Sequence, residues 1–494
     1  MQSQVVQRRR EASIADVPIV TSGTAPPTLQ PFVIKPFLQL SATASGTDRQ
    51  SLRLAWHTHS EAADWKVELR TRSATGWHKW RACSPASEVD LTIANVGSRK
   101  RFIVTLPGLK AGNRFEYRLL ANEQIVFSAR ATAPKAADQP FRFAVLGDGA
   151  DGSDGAARVA HRIESCHPDL ILFAGDNAYE DGRPSEYERE FFPIYNADEN
   201  DPLVGGSILR QVVSAAVPGN HDVRTPGFEN RSNQDADADD QASSTPVNEN
   251  EWPDILGYFT FFAHPENGPQ LTSAQRKTLE TGKKKRKRIA RFVGKDFLNR
   301  TNFSFDYGNV HVLMLDGNKY ADWSNEHLRA WVEADLQAAH DTAWKIVVVH
   351  QPPFTGGDYA NEQRNRLLCD IFQNNGVDVV FSGHCHAYER SFPLRFFASP
   401  YVEEPPTENV SGTVALDRSY DGKINTRPNG VIYVVTGAGG KIEHGAHHPK
   451  QVETTCKLVL DQPSFTMCDV RGRTLIIRQM DTDGSELDSF MIDK

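Results

Sequence analysis

Five apolar runs in this 494-residue chain each end in side chains able to hold a metal ion. Residues 170–179 read Leu-Ile-Leu-Phe-Ala-Gly-Asp-Asn-Ala-Tyr, a short run with strand character that stops at Gly175 and delivers Asp176 and Tyr179. An ionised carboxylate at the tip of a buried strand is costly unless a cation or a set of donors faces it. Four other runs supply the company. Residues 143–146 precede Gly147-Asp148, 212–217 precede Gly219-Asn220-His221-Asp222, 346–349 precede His350, and 377–381 precede Gly383-His384-Cys385-His386. Asp148, Asp176, Tyr179, Asn220, His350, His384 and His386 form a set of oxygen and imidazole donors without thiolate, which suits iron, zinc or manganese. Seven donors oversupply one ion. Two ions sharing a bridging carboxylate use them all and sit ~3.5–4 Å apart, the spacing that clamps a phosphoryl group.

A competing reading starts from residues 147–152, Gly-Asp-Gly-Ala-Asp-Gly, which satisfy GxGxxG after a strand and open a helix at 156–163. A dinucleotide site leaves Gly-Asn-His-Asp, the strand-end His350 and Gly-His-x-His without a purpose, so the metal reading stands.

The elements that must carry these residues follow from the periodicity. From Phe141 onward strands and helices alternate, the pattern of an α/β domain, whose ligands collect at the carboxyl ends of strands. Residues 324–340 predict a helix capped by Ser324, with Leu328, Trp331, Val332 and Leu336 on one face, and 344–350 the strand that presents His350. Leu367, Leu368, Ile371 and Phe372 predict a second helix stopped by Asn375-Gly376. Before this domain, residues 32–138 read as short strands split by Gly, Ser, Asn and Pro turns, an all-β sandwich with Trp56, Trp65, Trp77 and Trp80 in its core. Residues 1–31 are polar and Pro/Thr-rich and read as a tail. Within 223–300 the alternation lapses into two charged stretches, 234–241 with four Asp and 283–288 with six consecutive cations, both expected as irregular solvated loops.

A net charge of −8 argues against a dedicated nucleic-acid binder, and 39% hydrophobic with 24% charged residues is ordinary globular composition. Six scattered cysteines with no CxxC make no disulfide scaffold; only Cys456 and Cys468 are spaced to bridge a loop. No apolar run reaches the ~18 residues of a membrane span, and the first residues lack the apolar stretch of a secretory signal.

The five motifs, Gly-Asp at 147–148, Gly-Asp-x-x-Tyr at 175–179, Gly-Asn-His-Asp at 219–222, Val-Val-Val-His at 347–350 and Gly-His-x-His at 383–386, resemble in order those of the calcineurin-like metallophosphoesterases. The tyrosine, with residues 383–390 and 429–440, narrows the likeness to the purple acid phosphatases. Residues 52–56 and 106–118 resemble a fibronectin type III domain. The resemblance implies two mixed sheets packed together with helices outside, preceded by that sandwich, with the catalytic domain over 139–494. It implies Fe(III) held by Asp148, Asp176, Tyr179 and His386, a divalent Fe, Zn or Mn held by Asp176, Asn220, His350 and His384, and a metal-bound hydroxide attacking a small phosphate monoester. His221 would be the proton donor, oriented by Asp222; Tyr359, Arg364 and His444 would line the substrate. Three departures set this chain apart: Gly-Asp-Gly-Ala where the family has Gly-Asp-x-Gly, no histidine between Gln351 and Gly383, and a long segment between Asp222 and His350. Two alternatives remain, a phosphodiesterase or nucleotide pyrophosphatase on the same metals, and a partner-binding protein on a lapsed phosphatase fold. The family is usually secreted, and oligomeric state is open.

Overall fold

The computed structural model describes residues 31–41, 49–60, 63–224, 253–399, 409–442 and 450–494. Residues 1–30 of the expected tail, the acidic stretch 234–241 and His444 lie outside the described residues. Strands apolar on both faces must be covered on both, and the site-bearing strands are. In Phe141–Leu146, Phe143 and Val145 enter one core while Ala144 and Leu146 enter another. Its parallel neighbours are Leu170–Phe173 and Val213–Ala216, in a register that sets Leu146 opposite Phe173 and Phe173 opposite Ala216, so the three strand ends stand level. The antiparallel strands Ser464–Arg471, Thr474–Asp481 and Glu486–Asp493 extend this sheet on one side.

A second, seven-stranded sheet runs in the order Phe303–Tyr307, Val310–Leu315, Trp344–Val349, Val379–Ser382, Ile432–Thr436, Tyr388–Ser391, Thr455–Val459. Its middle four strands up to Ile432–Thr436 are parallel, with Val348 opposite Phe381 and Phe381 opposite Val434, again bringing strand ends to one level. The two sheets face each other across a shared core that takes Val145, Leu172 and Ala215 from one and Val312, Val348, Phe381 and Val434 from the other. Helices cover the outer faces. Asp154–Ser165 starts at Ser153, whose hydroxyl accepts from the Ala156 N–H at 3.2 Å, and buries Val159 and Ile163 completely, worth roughly 1.5–3 kcal/mol each. Glu326–Ala338 buries Leu328, Val332 and Leu336. Its cap is Asn325, not the predicted Ser324: the Asn325 side chain accepts from the His327 N–H, while Ser324 donates to Asp322.

The all-β region precedes this arrangement, and its first strand joins it. Ile34–Leu40 pairs parallel with Val213–Ala216, Gln39 opposite Ser214, and antiparallel with Arg49–His59. Gly97–Lys110 and Ser87–Ile93 follow, making ten strands in the first sheet. A five-stranded sheet built on Trp65–Ser73, Arg114–Ala121 and Gln124–Thr132 packs on this extension through Val67, Leu69, Phe115 and Tyr117, around the buried Trp56 stacked on Phe102 at 5.0 Å. Residues on both sides of position 138 thus belong to the compact unit Phe32–Lys494. Trp77 and Trp80 depart from the core expectation: both are half-buried, with the Arg70 guanidinium 5.1 and 4.5 Å from their rings.

The irregular loops expected within 223–300 are in part helices, Ser273–Lys277, Lys283–Val293 and Leu298–Thr301. Ile289 explains the basic one, because it is fully buried and anchors a face that the six-cation run concealed. All six cysteines are free, Cys456 and Cys468 included.

One ion cluster around the buried His311 fastens Glu326–Ala338 to the second sheet. His311, on Val310–Leu315, meets Asp306 through Nδ1 at 2.8 Å and Asp335 through Nε2 at 2.9 Å. Burial lowers its pKa, but the two carboxylates outweigh that and raise it to about 9. A histidine whose folded pKa is raised adds stability that is full below its unfolded value near 6.5 and is lost as pH climbs through about 9. In urea unfolding at fixed temperature, the stability gap between the parent chain and His311→Asn is therefore expected to shrink by on the order of 3 kcal/mol between pH 6 and pH 10. A gap independent of pH would refute the charged cluster.

Candidate metal centre

Level strand ends in two facing sheets leave one place where their loops meet, and backbone bonds stitch it shut. The Gly147 N–H donates to Thr436 O, that of Asp148 to Gly175 O and that of Gly383 to His350 O, at 2.9, 3.0 and 3.0 Å. Motif glycines make the approach possible. A Cβ on Gly219 would fall 2.1 Å from Oδ1 of Asp176, and one on Gly383 would fall 2.6 Å from Oδ2 of Asp148. Three of the predicted donors sit in the left-handed region, Asp148 at φ 59°, Asp176 at φ 50° and His384 at φ 71°. Asp and His are among the residues that tolerate it, and such backbone persists where surrounding structure fixes it.

Asp148, Asp176, Tyr179, His350, His384 and His386 are all buried at this meeting point, with Asn220 half-buried beside them. Tyr179 donates its hydroxyl proton to Asp148 Oδ1 at 2.8 Å, and the same oxygen lies 3.3 Å from Asp176 Oδ2 and 3.4 Å from His386 Nε2. His386 Nε2 is also 3.4 Å from Asp148 Oδ1. On the other flank His350 Nε2 stands 3.2 Å from Asp176 Oδ2 and 3.1 Å from Asn220 Oδ1, while Nδ1 meets the Ala174 carbonyl at 2.7 Å. A carbonyl only accepts, so Nδ1 carries hydrogen and Nε2 is the atom turned to the centre. Asp176 lies between the two flanks.

The donor set fits a metal on several counts. One ligand atom from each of Asp176, His350 and His384 lies within 4.8 Å of the others. Nε2 of His384 is buried and has no hydrogen-bond partner among the described residues, although a Glu362 carboxylate oxygen is 3.4 Å away. Burial pushes the Tyr179 phenol well up, and the charges of Asp148 and Asp176 push it further. A phenol pressed between carboxylates holds its proton until a cation replaces it. Asp176 shows the opposite balance: burial raises its pKa, but the charge and hydrogen bond of His350, then His221 and His384, hold it well below the usual carboxylate range.

His221 lies against the centre, its ring 4.5 Å from that of Tyr179 and its Nε2 3.8 Å from Asp176 Oδ2. Nδ1 is taken by the carbonyl of Glu180 at 2.5 Å, and the backbone N–H donates to Asp176 Oδ1 at 2.8 Å. The resemblance implied that Asp222 orients His221. Its carboxylate turns into the loop and accepts from Asn177 N, Asn177 Nδ2, Gly219 N and Tyr187 Oη at 2.6–3.1 Å. Four donors on a buried acid fix the loop that carries Asn220 and His221.

Of the expected substrate residues, Tyr359 packs its ring 4.3 Å from that of His384. Arg364 donates to Gly317 O at 3.0 Å and lies 3.4 Å from Glu362. His444 is outside the described residues. Sequence reasoning missed Glu362, which has no strand end to announce it, and Lys441. The Lys441 ammonium lies 4.0 Å from the centroid of the Tyr179 ring and 3.2 Å from Glu180 Oε1. Its backbone N–H reaches Asp148 O, so the glycine-rich segment 437–440 was the available signal.

A calcineurin-like phosphoesterase family model matches residues 141–388, half of the chain, from the first site-bearing strand to just beyond His386. The chain belongs to the calcineurin-like phosphoesterase family. Among the curated relatives that it matches are several purple acid phosphatases. Purple acid phosphatase 15 of Arabidopsis thaliana is 24% identical over 386 residues, 74% of this chain and 58% of the relative. Purple acid phosphatase 18 of the same plant is 32% identical over 95 residues, 18% and 21% of the two chains, so the match spans about a fifth of that relative's length. Purple acid phosphatase PPD1 of yellow lupin has the same fold at a TM-score of 0.64 and 16% identity, over 93% of this chain and 74% of its own. The family's two-sheet architecture and the all-β region before it are therefore both present.

Proposed function

We propose that this chain hydrolyses phosphate monoesters at a dinuclear metal centre, in the manner of a purple acid phosphatase. The supporting observation is the convergence of Asp148, Tyr179 and His386 on one side of Asp176, and of Asn220, His350 and His384 on the other. In this reading the first group with Asp176 holds Fe(III), and the second with Asp176 holds divalent iron, zinc or manganese. When bound, the two cations would lower the pKa of water and neutralise charge on the phosphoryl oxygens.

The remaining work falls to the chain's own side chains. Lys441 holds a positive charge at the face of Tyr179, where an anionic ester would be drawn in. Tyr359 walls the side next to His384. His221 donates its Nδ1 proton to the Glu180 carbonyl, so Nε2 hands a proton to the leaving oxygen only from the imidazolium form, which burial disfavours by lowering the pKa of the ring. Asp222 holds the loop that positions it. Residues 32–138 act as a fibronectin type III-like neighbour whose first strand extends the catalytic sheet.

The purified protein is expected to hold about two metals per chain including iron, to show a broad visible band, and to prefer p-nitrophenyl phosphate to its bis-ester. Tyr179→Phe is expected to lose the band. Two metals without iron or colour would confine the reading to the wider family, a preference for the bis-ester would make the protein a diesterase, and absence of metal would overturn the hydrolase.

A further inference from the structure

We infer that the basic helix Lys283–Val293 borders a second binding site, one for a single-chain anionic amphiphile. A cavity of about 400 Å³ lies beside it, and its floor is apolar, formed by Leu271, Leu279, Ala290 and Leu298. Its rim is cationic: Lys277, Lys283, Lys287, Arg291 and Lys295 border it, and among the described residues none of these five has an ion-pair partner. The other two arginines there have structural duties. Arg286 donates to the carbonyls of Thr281, Tyr320 and Leu279 at 2.7–2.9 Å, and Arg276 pairs with Asp296, the one acid lining the cavity among the described residues.

Sequence position makes the crowding deliberate on the helix surface. Lys283, Lys287 and Arg291 fall at i, i+4 and i+8, one above another on a single face, where like charges repel. The helix carries seven cations and no acid among its eleven residues, in a chain whose net charge is −8. An anion seated between these side chains relieves that repulsion, and the apolar floor asks for a hydrocarbon or aromatic body attached to it. The volume is that of small-ligand pockets, which combine apolar walls with a few charged groups that fix orientation. A free phosphate ion would leave the floor wet, and a neutral lipid would leave the rim unpaired. The inference does not depend on the phosphatase reading.

The test is calorimetric titration of the full chain with laurate, kept monomeric, alongside uncharged dodecyl maltoside and vesicles of phosphatidylglycerol. One-site laurate binding is expected, weakened by salt and weakened at least tenfold both by the exposed pair Lys283→Glu/Lys287→Glu and by Ala290→Phe, which fills the floor. Melting temperature and basal p-nitrophenyl phosphate hydrolysis are expected to stay at parental values in the charge pair, which decides alone if Ala290→Phe does not fold. No saturable laurate site, laurate affinity indifferent to charge reversal, or equal affinity for dodecyl maltoside would each overturn the inference. Binding to vesicles without binding of monomeric laurate would also overturn it, in favour of a membrane surface.

Discussion

Asp176→Asn is expected to lower p-nitrophenyl phosphate hydrolysis by on the order of 10³-fold or more, since removing one electrostatic partner from a water-excluded site already costs about 10²–10³. Asp176 serves both flanks of the centre: Oδ2 faces His350 and Tyr179, and Oδ1 receives the His221 N–H. Asparagine keeps the shape and tolerates the left-handed backbone at φ 50°, so folding is preserved while the negative charge is lost. Elemental analysis should then find less than the parental metal content, with the melting curve of the metal-free chain little changed. Near-parental turnover in a folded Asp176→Asn protein would remove the carboxylate from the mechanism and the bridging role with it.

The donors were legible because each follows a run that is apolar apart from Ser214 and Asp378, and such runs are buried parallel strands whose ends a sheet brings to one level. The register between Leu146, Phe173 and Ala216, and between Val348, Phe381 and Val434, is the physical form of that expectation. What escaped reading was set by long-range contact. Nothing local in Ile34–Leu40 says that it will pair with Val213–Ala216 and extend the catalytic sheet. Lys283–Val293 reads as a solvated loop because only Ile289 among its first seven residues is apolar, yet Ile289 is buried, Ala290, Phe292 and Val293 pack partly on the core, and Arg286 ties the helix to three backbone carbonyls. The part of Asp222 was hidden for a related reason: the resemblance implied that it orients His221, whereas Asn177, Gly219 and Tyr187 surround its carboxylate in space. Its pKa, pushed up to about 6 by burial and by the Asp176 charge, reflects that enclosure. Neighbours in sequence point apart in a tight loop.

His221→Asn tests the proton-transfer step separately from the centre itself. Loss of a positioned acid or base typically costs about 10²–10⁴-fold in rate, and here metal content should stay parental because the His221 ring is held by the Glu180 carbonyl rather than placed among the seven donors. The size of the loss should depend on the leaving group. p-Nitrophenolate departs without help, so its ester should lose least, while an alkyl phosphate, whose alkoxide needs a proton as the bond breaks, should lose most. A ring that only stabilised charge through its 3.8 Å approach to Asp176 would slow both esters alike. Equal losses on the two substrates would therefore assign His221 to electrostatics, and loss of metal would assign it to the architecture of the loop that Asp222 holds; a widening gap from aryl to alkyl esters leaves Nε2 as the atom that hands over the proton.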